Sequence, residues 1–449
     1  MELSDLLRTF EERGIRKVKV GGFDIDGILR GKLISLEKFQ SIATKGFGFC
    51  DVIFGWDSAD QLYDNATVTG WHSGYPDTLA KIDLGTFRVL PHEPDTACFV
   101  ADFYDAATKK PHAACPRNLL KRIVAQAQTA GYAPMMGAEF EFWLFKETEE
   151  SARDKRYGGM KPISRGMFGY SWVREGQHSE LVHDVLDTME AFGIPIEAVH
   201  TETGPGVWEV ALRYTDAIEA ADRAALFKTT MKTLASRHGL AVTFMAKWNA
   251  SLPGSSGHIH MSLMDSTKQT NLFLDEKAEH GLSDLARGYI GGLVKLAPEL
   301  TALYSPFVNT YKRYVPGVWA PMTPSWGVEN RTCAVRVIPG GAGTRVEYRQ
   351  TAADINPYVA MATALGAGLY GIRHGVEPPA ESKGDATESG APLPLTLEHA
   401  VRALEQSEAA REILGEPFVD HYVRTRDWEV RQYRTAVTDW ELARYFEVV

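Results

Sequence analysis

The chain has 449 residues, of which 44% are hydrophobic and 24% charged, and its formal net charge is -10. This balance is typical of a soluble globular protein with one large and one smaller domain, and the acidic excess opposes nucleic acid binding, which needs a basic surface. No apolar run approaches the ~20 residues of a membrane span, and the first residues lack a secretory signal, so we expect a cytoplasmic protein without membrane partners. The cysteines (Cys50, Cys98, Cys115 and Cys333) are far apart, which favours reduced thiols over a zinc or disulfide framework.

The N-terminal part predicts a small mixed domain. A helical pattern covers residues 3–13, and strand patterns follow at 17–20 and 27–29. The segment 23–27 ends in Asp26-Gly27 and predicts a hairpin turn rather than a metal site at Asp24 and Asp26. A polar loop at 107–112 then separates this domain, residues 1–111, from a larger one, residues 112–449, whose first helix starts at Pro116.

Acids recur at a spacing of two in a strand pattern early in the larger domain. Glu139 and Glu141 fall on one side of this strand, while Phe140 and Phe142 fall on the other. A solvated face of an antiparallel sheet would give the same pattern. The bulky apolar side, however, indicates that the strand covers a core.

Two later segments repeat this spacing. His258 and His260 share one strand face, and Arg345, Glu347 and Arg349 share another. Histidines satisfied by their neighbours are the ordinary alternative. Carboxylates and imidazoles from several strands favour a divalent metal site, and interleaved arginines favour phosphate or carboxylate groups.

The motifs resemble those of glutamine synthetase and of related enzymes that join glutamate to other amines. The matching segments span nearly the whole chain; they lie at residues 137–142, 200–209, 254–263, 309–317, 330–332, 345–349 and 353–358. The resemblance implies an α+β fold with an N-terminal β-grasp domain and a catalytic domain built on a curved antiparallel sheet. It also implies a homo-oligomer, a dodecamer of two hexameric rings, in which the N-terminal domain of a neighbour completes each active site.

The resemblance also assigns site residues position by position. One Mg²⁺ or Mn²⁺ would be held by Glu141, Glu202 and Glu209, and a second by Glu139, His258 and Glu347. ATP would contact Glu197 and His260. Glutamate would be held by Gly254, Arg313 and Arg349, while Arg331 and Arg336 would bind phosphate groups and Arg331 and Arg313 would take part in catalysis.

The implied reaction fits these residue types. A carboxylate is a poor acyl donor, so ATP first phosphorylates the γ-carboxylate of glutamate, and an amine then displaces phosphate. Metals and arginines would neutralise the charge that develops between these anionic reactants. Hard oxygen ligands with one histidine suit Mg²⁺ or Mn²⁺.

The chain departs from the family pattern on the amine side. Trp319 stands where ammonia-using enzymes have a glutamate that closes over the site, and Trp56 and Asp57 stand in the segment that binds ammonium in those enzymes. Pro253 replaces an asparagine before the glutamate-holding glycine. Aromatic groups in place of acids favour an organic primary amine, through apolar contact or cation–π attraction. Ammonia as the substrate, with Asp57 or another acid supplying the base, is the first alternative, and a non-catalytic structural relative is the second.

Overall fold

The structure is a computed structural model that describes residues 2–387 and 390–449. The N-terminal elements are α1 (Leu3–Arg13), β1 (Lys17–Phe23), β2 (Leu29–Ser35), α2 (Leu36–Ile42), β3 (Phe47–Cys50), β4 (Asp77–Ile82), β5 (Arg88–Leu90) and β6 (Glu93–Tyr104). The predicted helix at 3–13 and the helix starting at Pro116 are confirmed. Within the described residues, no helix combines the length and the apolar character that crossing a membrane would require.

The first part of the chain forms a mixed sheet with the strand order β2-β1-β6-β4-β3, and β5 pairs with β6. The two central strands, β1 and β6, run parallel, while the other pairs are antiparallel. An apolar core made of Leu6, Phe10, Phe39 and Phe99, among others, lies between this sheet and its helices. The term β-grasp and the boundary at residue 111 stay predictions.

The predicted hairpin is confirmed, and its acids have structural partners. Gly27 adopts a φ of 79°, a conformation that glycine tolerates without strain. Asp24 accepts hydrogen bonds from the backbone of Asp26 and Ile28 at 3.0 and 2.9 Å and pairs with Arg30 at 2.8 Å. The turn therefore extends through Ile28, and the second strand begins at Leu29 rather than at residue 27.

The remaining elements form the larger part of the molecule. They are α3 (Pro116–Thr129), β7 (Tyr132–Phe145), α4 (Glu149–Asp154), α5 (Trp172–Gly176), α6 (Ser179–Ala191), β8 (Ile196–Thr201), β9 (Val207–Leu212), β10 (Thr215–Asp216), α7 (Ala217–Arg237), β11 (Ala241–Thr243), β12 (Ile259–Asp265), α8 (Asp284–Tyr304), β13 (Trp326–Val328), β14 (Val335–Ile338), β15 (Arg345–Tyr348), α9 (Pro357–Arg373), α10 (Leu397–Gln406), α11 (Glu408–Leu414), α12 (Glu416–Thr435) and α13 (Asp439–Tyr445). Short 3₁₀ segments occupy Asp51–Phe54, Leu84–Thr86, Glu279–Gly281, Val308–Arg313 and Gly341–Gly343.

The second sheet has nine strands in the order β13-β14-β15-β12-β7-β9-β8, with β10 and β11 also paired to β7. Its pairs are antiparallel except β13 and β14, so the expected antiparallel catalytic sheet is confirmed apart from one parallel edge pair. The long strand β7 lies at its centre. Phe140 and Phe142 are buried against Phe227 of α7, which confirms that this side of the strand covers the core.

One buried arginine joins the two parts of the molecule. Arg117 of α3 is 2% exposed, and it donates hydrogen bonds to both carboxylate oxygens of Asp222 in α7 at 2.8 Å. It also donates to Asp102 of the N-terminal sheet at 2.8 Å and to Asp83 at 3.0 Å. A buried charge with several acidic partners stabilises a fold only while every partner is present.

We therefore expect Arg117→Ala to lower the free energy of unfolding by about 3–5 kcal/mol, because it leaves buried carboxylates without a counter-charge. Urea unfolding followed by circular dichroism measures the change. Arg8→Ala, which removes an exposed ion pair with Asp5, is the control and should cost less than about 1 kcal/mol. Equal urea midpoints for the two variants would contradict the prediction.

Candidate active site

Strand register brings the predicted acids and imidazoles to one face of the nine-stranded sheet. On β7 and β9, Glu141 lies opposite Glu209, and on β8 His200 lies opposite the same Glu209. On the other side of β7, His260 of β12 lies opposite Glu347 of β15. Because these residues occupy paired positions, their side chains point to the same side of the sheet.

The first group of ligand atoms centres on Glu139. Nδ1 of His258 lies 2.7 Å from Oε1 of Glu139 and 3.3 Å from Oε1 of Glu347. Nε2 of His260 lies 3.4 Å from Oε2 of Glu139. Within the described part of the chain, the buried Nε2 of His258 has no hydrogen-bond partner. A buried imidazole with one nitrogen beside two carboxylates and the other without a partner is a suitable metal ligand.

The second group centres on Glu209. Nε2 of His200 lies 3.1 Å from Oε1 of Glu209, and Nδ1 of His200 lies 3.6 Å from Oε1 of Glu202. Glu141 accepts a hydrogen bond from the backbone nitrogen of Ser256 at 2.8 Å. Potential ligand atoms of His200, Glu202 and Glu209 lie within 4.8 Å of one another, as do those of Glu139, Glu209 and His258 and those of Glu139, His260 and Glu347. Neither predicted set is one of these groups: Glu202 lies with Glu209, and Glu139 lies with His258 in one group and with Glu347 in another, whereas Glu141 belongs to none of the groups found in the described part of the chain. The two predicted sets stay predictions.

Carboxylate pKa values differ between the two groups. Burial and the charge of Glu209 raise the pKa of Glu141 well above its usual range, and burial likewise raises the pKa of Glu209. Burial also opposes ionisation of Glu139, but hydrogen bonds from His258 and His260 hold its pKa well below the usual value. Neither Arg313, which acts on Glu141, nor His200, which contacts Glu209, offsets the effect of burial on this pair, and a bound divalent ion would supply further positive charge.

Two of the predicted phosphate and carboxylate binders contact a predicted metal ligand. Arg336 Nη1 lies 3.1 Å from Oε2 of Glu347, and Arg349 pairs with the other oxygen of the same carboxylate. Arg331 is exposed, and its backbone oxygen accepts a hydrogen bond from Nε of Arg349 at 3.1 Å. These three arginines therefore lie on the side of the cluster formed by β14 and β15.

The glutamate-holding positions form a tightly packed unit. Arg313 is buried and donates hydrogen bonds to the backbone oxygen of Gln350 at 2.8 Å and to the hydroxyl of Ser256 at 3.1 Å. A Cβ on Gly254 would lie 2.7 Å from Cβ of Arg313 and 2.8 Å from the backbone oxygen of Ala246. Only glycine fits there, since any side chain would displace Arg313.

A cavity of about 450 Å³ opens beside Glu139 and His260. Glu197, the other predicted nucleotide contact, lies in its wall together with Lys268 and Arg345. The structure therefore brings both residues predicted to contact ATP to one cavity. Arg345 suits the phosphates of a nucleotide, whereas Lys268 is paired with Asp216 and the acids Glu139 and Glu197 line the same cavity.

The predicted amine-side residues lie apart from the cluster. Trp319 is 65% exposed on the loop between the 3₁₀ segment Val308–Arg313 and β13, with a φ of 62°. Trp56 lies under the guanidinium of Arg30 at 5.0 Å, and Asp57 accepts hydrogen bonds from the backbone of the turn that follows it. Among the described residues, none of the three forms a hydrogen bond, an ion pair or a ring contact with the cluster.

Sequence reasoning missed two residues of this site. His200 shares a strand face with Glu202 at a spacing of two, so the period that identified the other ligands could have found it. Tyr170 stacks on His200 at 4.4 Å, with its backbone nitrogen bonded to the backbone oxygen of Thr201. Partial desolvation of its hydroxyl and the nearby carboxylates of Glu202 and Glu209 raise the pKa of Tyr170 to about 12, although the residue as a whole is 69% exposed. No sequence pattern marks Tyr170, because a loop delivers it.

The chain belongs to the glutamine synthetase family: the model described as "Glutamine synthetase, catalytic domain" matches residues 113–445. It is a carbon–nitrogen ligase of this family. A type-1 glutamine synthetase 2 of Dictyostelium discoideum is 45% identical over 96% of this chain and 84% of that protein. A glutamate–isopropylamine ligase of Pseudomonas is 37% identical over 98% of this chain and 96% of the ligase.

The solved structures agree with this assignment. A GmaS/ADP complex superimposes with a TM-score of 0.86 and 30% identity, covering 99% of both chains. The glutamine-synthetase-type fold, with mixed sheets and surrounding helices, is therefore established over the whole described molecule.

The acid cluster predicts that a divalent cation stabilises the fold. Excess MgCl₂ or MnCl₂ should raise the free energy of unfolding by about 2.7 kcal/mol when the free ion reaches about 100 times its Kd. Because ligands bind as carboxylates and burial raises the pKa of Glu141 and Glu209, the gain should be larger at pH 8 than at pH 6. Thermal unfolding with and without the ion measures it.

Glu209→Gln and His258→Ala should abolish this stabilisation, whereas Glu11→Gln on the exposed side of α1 should retain it. A gain of equal size in the parent protein and in Glu209→Gln would contradict the metal assignment.

Proposed function

We propose that the protein is an ATP-dependent ligase that joins the γ-carboxylate of glutamate to an organic primary amine. The reaction proceeds through γ-glutamyl phosphate and yields a γ-glutamylamide, ADP and phosphate. The observation that carries the proposal is the convergence of acids and imidazoles from several strands beside a cavity whose walls include Glu197, His260 and Arg345. Such a cluster suits a reaction between two anionic substrates.

The residues present fit two divalent cations. Glu141, Glu202 and Glu209 would hold one ion, and His200 lies within reach of the latter two acids. The second ion would be held by Glu139, His258 and Glu347. When bound, Mg²⁺ or Mn²⁺ would neutralise charge on the transferred phosphoryl group. The protein's own part is to position the ligands, because hydrogen bonds and strand pairing fix each of them.

The cavity beside Glu139 is the proposed ATP site. Glu197 and His260 line it, as the resemblance implies, and Arg345 adds positive charge. Arg331 and Arg336 would bind phosphate on the other side of the cluster. Arg349 and the Gly254–Arg313 unit would hold glutamate, whose γ-carboxylate must face the transferred phosphoryl group in line.

An organic amine is favoured on the amine side. Trp319 and Trp56 offer carbon surface and no proton acceptor, in contrast to a carboxylate. Two relatives have names that point the same way: the glutamate–isopropylamine ligase, and a gamma-glutamylethanolamide synthetase of Streptomyces coelicolor that is 36% identical over 94% of this chain and 91% of that protein.

Glutamine synthesis from ammonia is the second candidate. It is favoured by the 45% identity to the Dictyostelium type-1 glutamine synthetase. Asp57 or another acid would then have to assist deprotonation of ammonium, because Trp319 accepts no proton.

A ring-shaped homo-oligomer, a dodecamer of two hexameric rings, is part of the proposal, with the β-grasp domain of one subunit completing the site of the next. Exposed apolar side chains concentrate in two segments, at residues 157–173 and 440–449. Trp172 is 90% exposed and Phe446 80% exposed. Patches of this kind mark protein interfaces. Trp56 and Asp57 of one subunit would then contact the acid cluster of the neighbouring subunit. Within their own subunit they make no contact with the cluster.

The amine proposal predicts that isopropylamine or ethanolamine exceeds ammonia by at least about tenfold in kcat/KM, since contact with one or two buried methylenes is worth ~1–3 kcal/mol. Trp319→Glu should narrow this gap, and Trp319→Gln, which has similar size but no carboxylate, should not. Steady-state phosphate release at one pH, corrected for the neutral fraction of each amine, measures it. An ammonia kcat/KM equal to or above that of every amine would favour the second candidate.

The assembly proposal predicts a native mass near twelve times the 49.7 kDa chain by light scattering. Phe446→Asp should lower this mass and the activity together, because it places a charge on an exposed apolar segment. Glu447→Gln next to it should change neither. A fully active monomer would contradict the prediction.

A further inference from the structure

One segment with the family pattern, residues 353–358, supplies none of the proposed site residues. Each of its three polar side chains binds a different part of the molecule. Asn356 donates hydrogen bonds to two backbone oxygens of the N-terminal hairpin, both at 3.1 Å, and Tyr358 donates one to Asp222 at 2.6 Å. The third, Asp354, contacts a 3₁₀ segment of the active site.

Asp354 holds Thr310 in the middle of the 3₁₀ segment Val308–Arg313. The hydroxyl of Thr310 donates a hydrogen bond to Oδ2 of Asp354 at 2.7 Å and accepts one from the backbone nitrogen of Phe307 at 3.2 Å. Thr310 is completely buried. Because a hydroxyl has one proton, and this one points to the carboxylate, Thr310 links Asp354 to the start of the segment.

The same segment carries the arginine that is expected to hold glutamate. Three residues make one turn of a 3₁₀ helix, so Thr310 and Arg313 lie on one side of the segment, one turn apart. Arg313 donates a hydrogen bond to the hydroxyl of Ser256 at 3.1 Å, and the backbone nitrogen of Ser256 donates one to Glu141 at 2.8 Å. A displacement of Thr310 would therefore move Arg313 relative to the acid cluster.

The surroundings of Asp354 show that it does not stabilise the fold by itself. Its second oxygen, Oδ1, is buried and has no hydrogen-bond partner among the described residues. Burial raises the pKa of Asp354 to about 6, although the hydrogen bond from Thr310 and the charges of Lys228 and Arg313 oppose this. Burying such an acid costs free energy. What the chain gains from it is a fixed position for Thr310.

Asn309 joins the same segment to the loop that carries Gly254. Its Oδ1 accepts a hydrogen bond from the backbone nitrogen of Lys247 at 2.9 Å, and its Nδ2 donates one to the backbone oxygen of Lys247 at 2.8 Å. The preceding residue, Ala246, accepts a hydrogen bond from the backbone nitrogen of Ser255 at 2.8 Å. The carboxylate and this amide are therefore two separate attachments of the segment.

We propose that Asp354 is a positioning residue for glutamate binding. Through Thr310 it would hold the segment Val308–Arg313 so that the guanidinium of Arg313 stays where it can bind glutamate. Asp354 itself would not contact the substrate. The inference rests on the proposed function, because the contact between Arg313 and glutamate is part of that function.

The test is Thr310→Val, which keeps the shape of the side chain and removes the hydroxyl. Steady-state phosphate release is measured with glutamate and ATP varied in turn, using isopropylamine or ammonia, whichever the parent prefers. The KM for glutamate should rise at least about tenfold, because a hydrogen bond to a carboxylate is lost and Arg313 moves, while the KM for ATP stays within about twofold. A variant that is merely less folded has fewer active sites, which lowers kcat and leaves both KM values unchanged.

Further variants separate the hydrogen bond from general effects of burial. Asp354→Asn keeps an oxygen that accepts from Thr310 and should weaken glutamate binding less than Asp354→Ala. In the Thr310→Val background, Asp354→Asn should add little, because the two residues share one interaction. Thr363→Val is the matched control: its hydroxyl is equally buried but bonds to the backbone oxygen of Val359 within α9, so its KM for glutamate should equal that of the parent. Circular dichroism melting verifies that each variant is folded.

Three results would overturn the inference: an unchanged KM for glutamate in Thr310→Val, an equal rise in the KM for ATP, and fully additive effects in the double variant. The ligase function fails separately, if the parent releases no phosphate with glutamate and any amine or ammonia. Calorimetric titration with L-glutamate then compares the parent with Thr310→Val without a reaction, and at least about tenfold weaker binding to the variant is expected. Absence of glutamate binding to the parent would overturn both proposals.

Discussion

Repulsion between carboxylates on one face of the nine-stranded sheet governs how the rest of the molecule is built. Glu141 and Glu209 face each other across β7 and β9 by strand register alone, and Glu139 lies two residues away on β7. Such a group destabilises a fold unless cations accompany it. The opposite side of the sheet compensates with tightly packed apolar contacts, including Phe140 and Phe142 against α7. The strands can therefore hold the acids in place against their mutual repulsion.

The cations of the chain pair more fully with one side of the cluster than with the other, where His200 contacts Glu209. Glu347 is paired with Arg336 and Arg349, and Glu139 contacts His258 and His260. These same arginines are the proposed binders of phosphate and carboxylate, so a substrate anion would compete with Glu347 for them. A metal that takes the Glu347 carboxylate would leave their N–H groups to the substrate. Metal binding and anion binding would in this way favour each other.

The sequence predicts which side chains share a strand face. It does not predict which loop residues contact those strands. A period of two in 139–141 and 258–260 places side chains on one face whatever the tertiary structure, and this prediction is confirmed. His200 obeys the same rule. Tyr170 does not, because hydrogen bonds to Thr201 position its loop and such contacts have no local pattern. The ion pair between Asp26 and Arg426 joins residues about 400 positions apart, and only the folded chain brings them together.

Trp319, Trp56 and Asp57 show a further limit of reasoning from one chain. Their residue types and their positions in the motifs suggest a role in amine binding. Within the described residues, however, none of them forms a hydrogen bond, an ion pair or a ring contact with the acid cluster. The cluster depends on the register of a central sheet and tolerates little change. A loop that carries Trp319 with 65% of its surface exposed is under no such constraint. Amine preference could therefore change by substitution in these loops while the groups that activate glutamate stay fixed, and relatives named for ammonia-derived and amine-derived products can share one catalytic sheet.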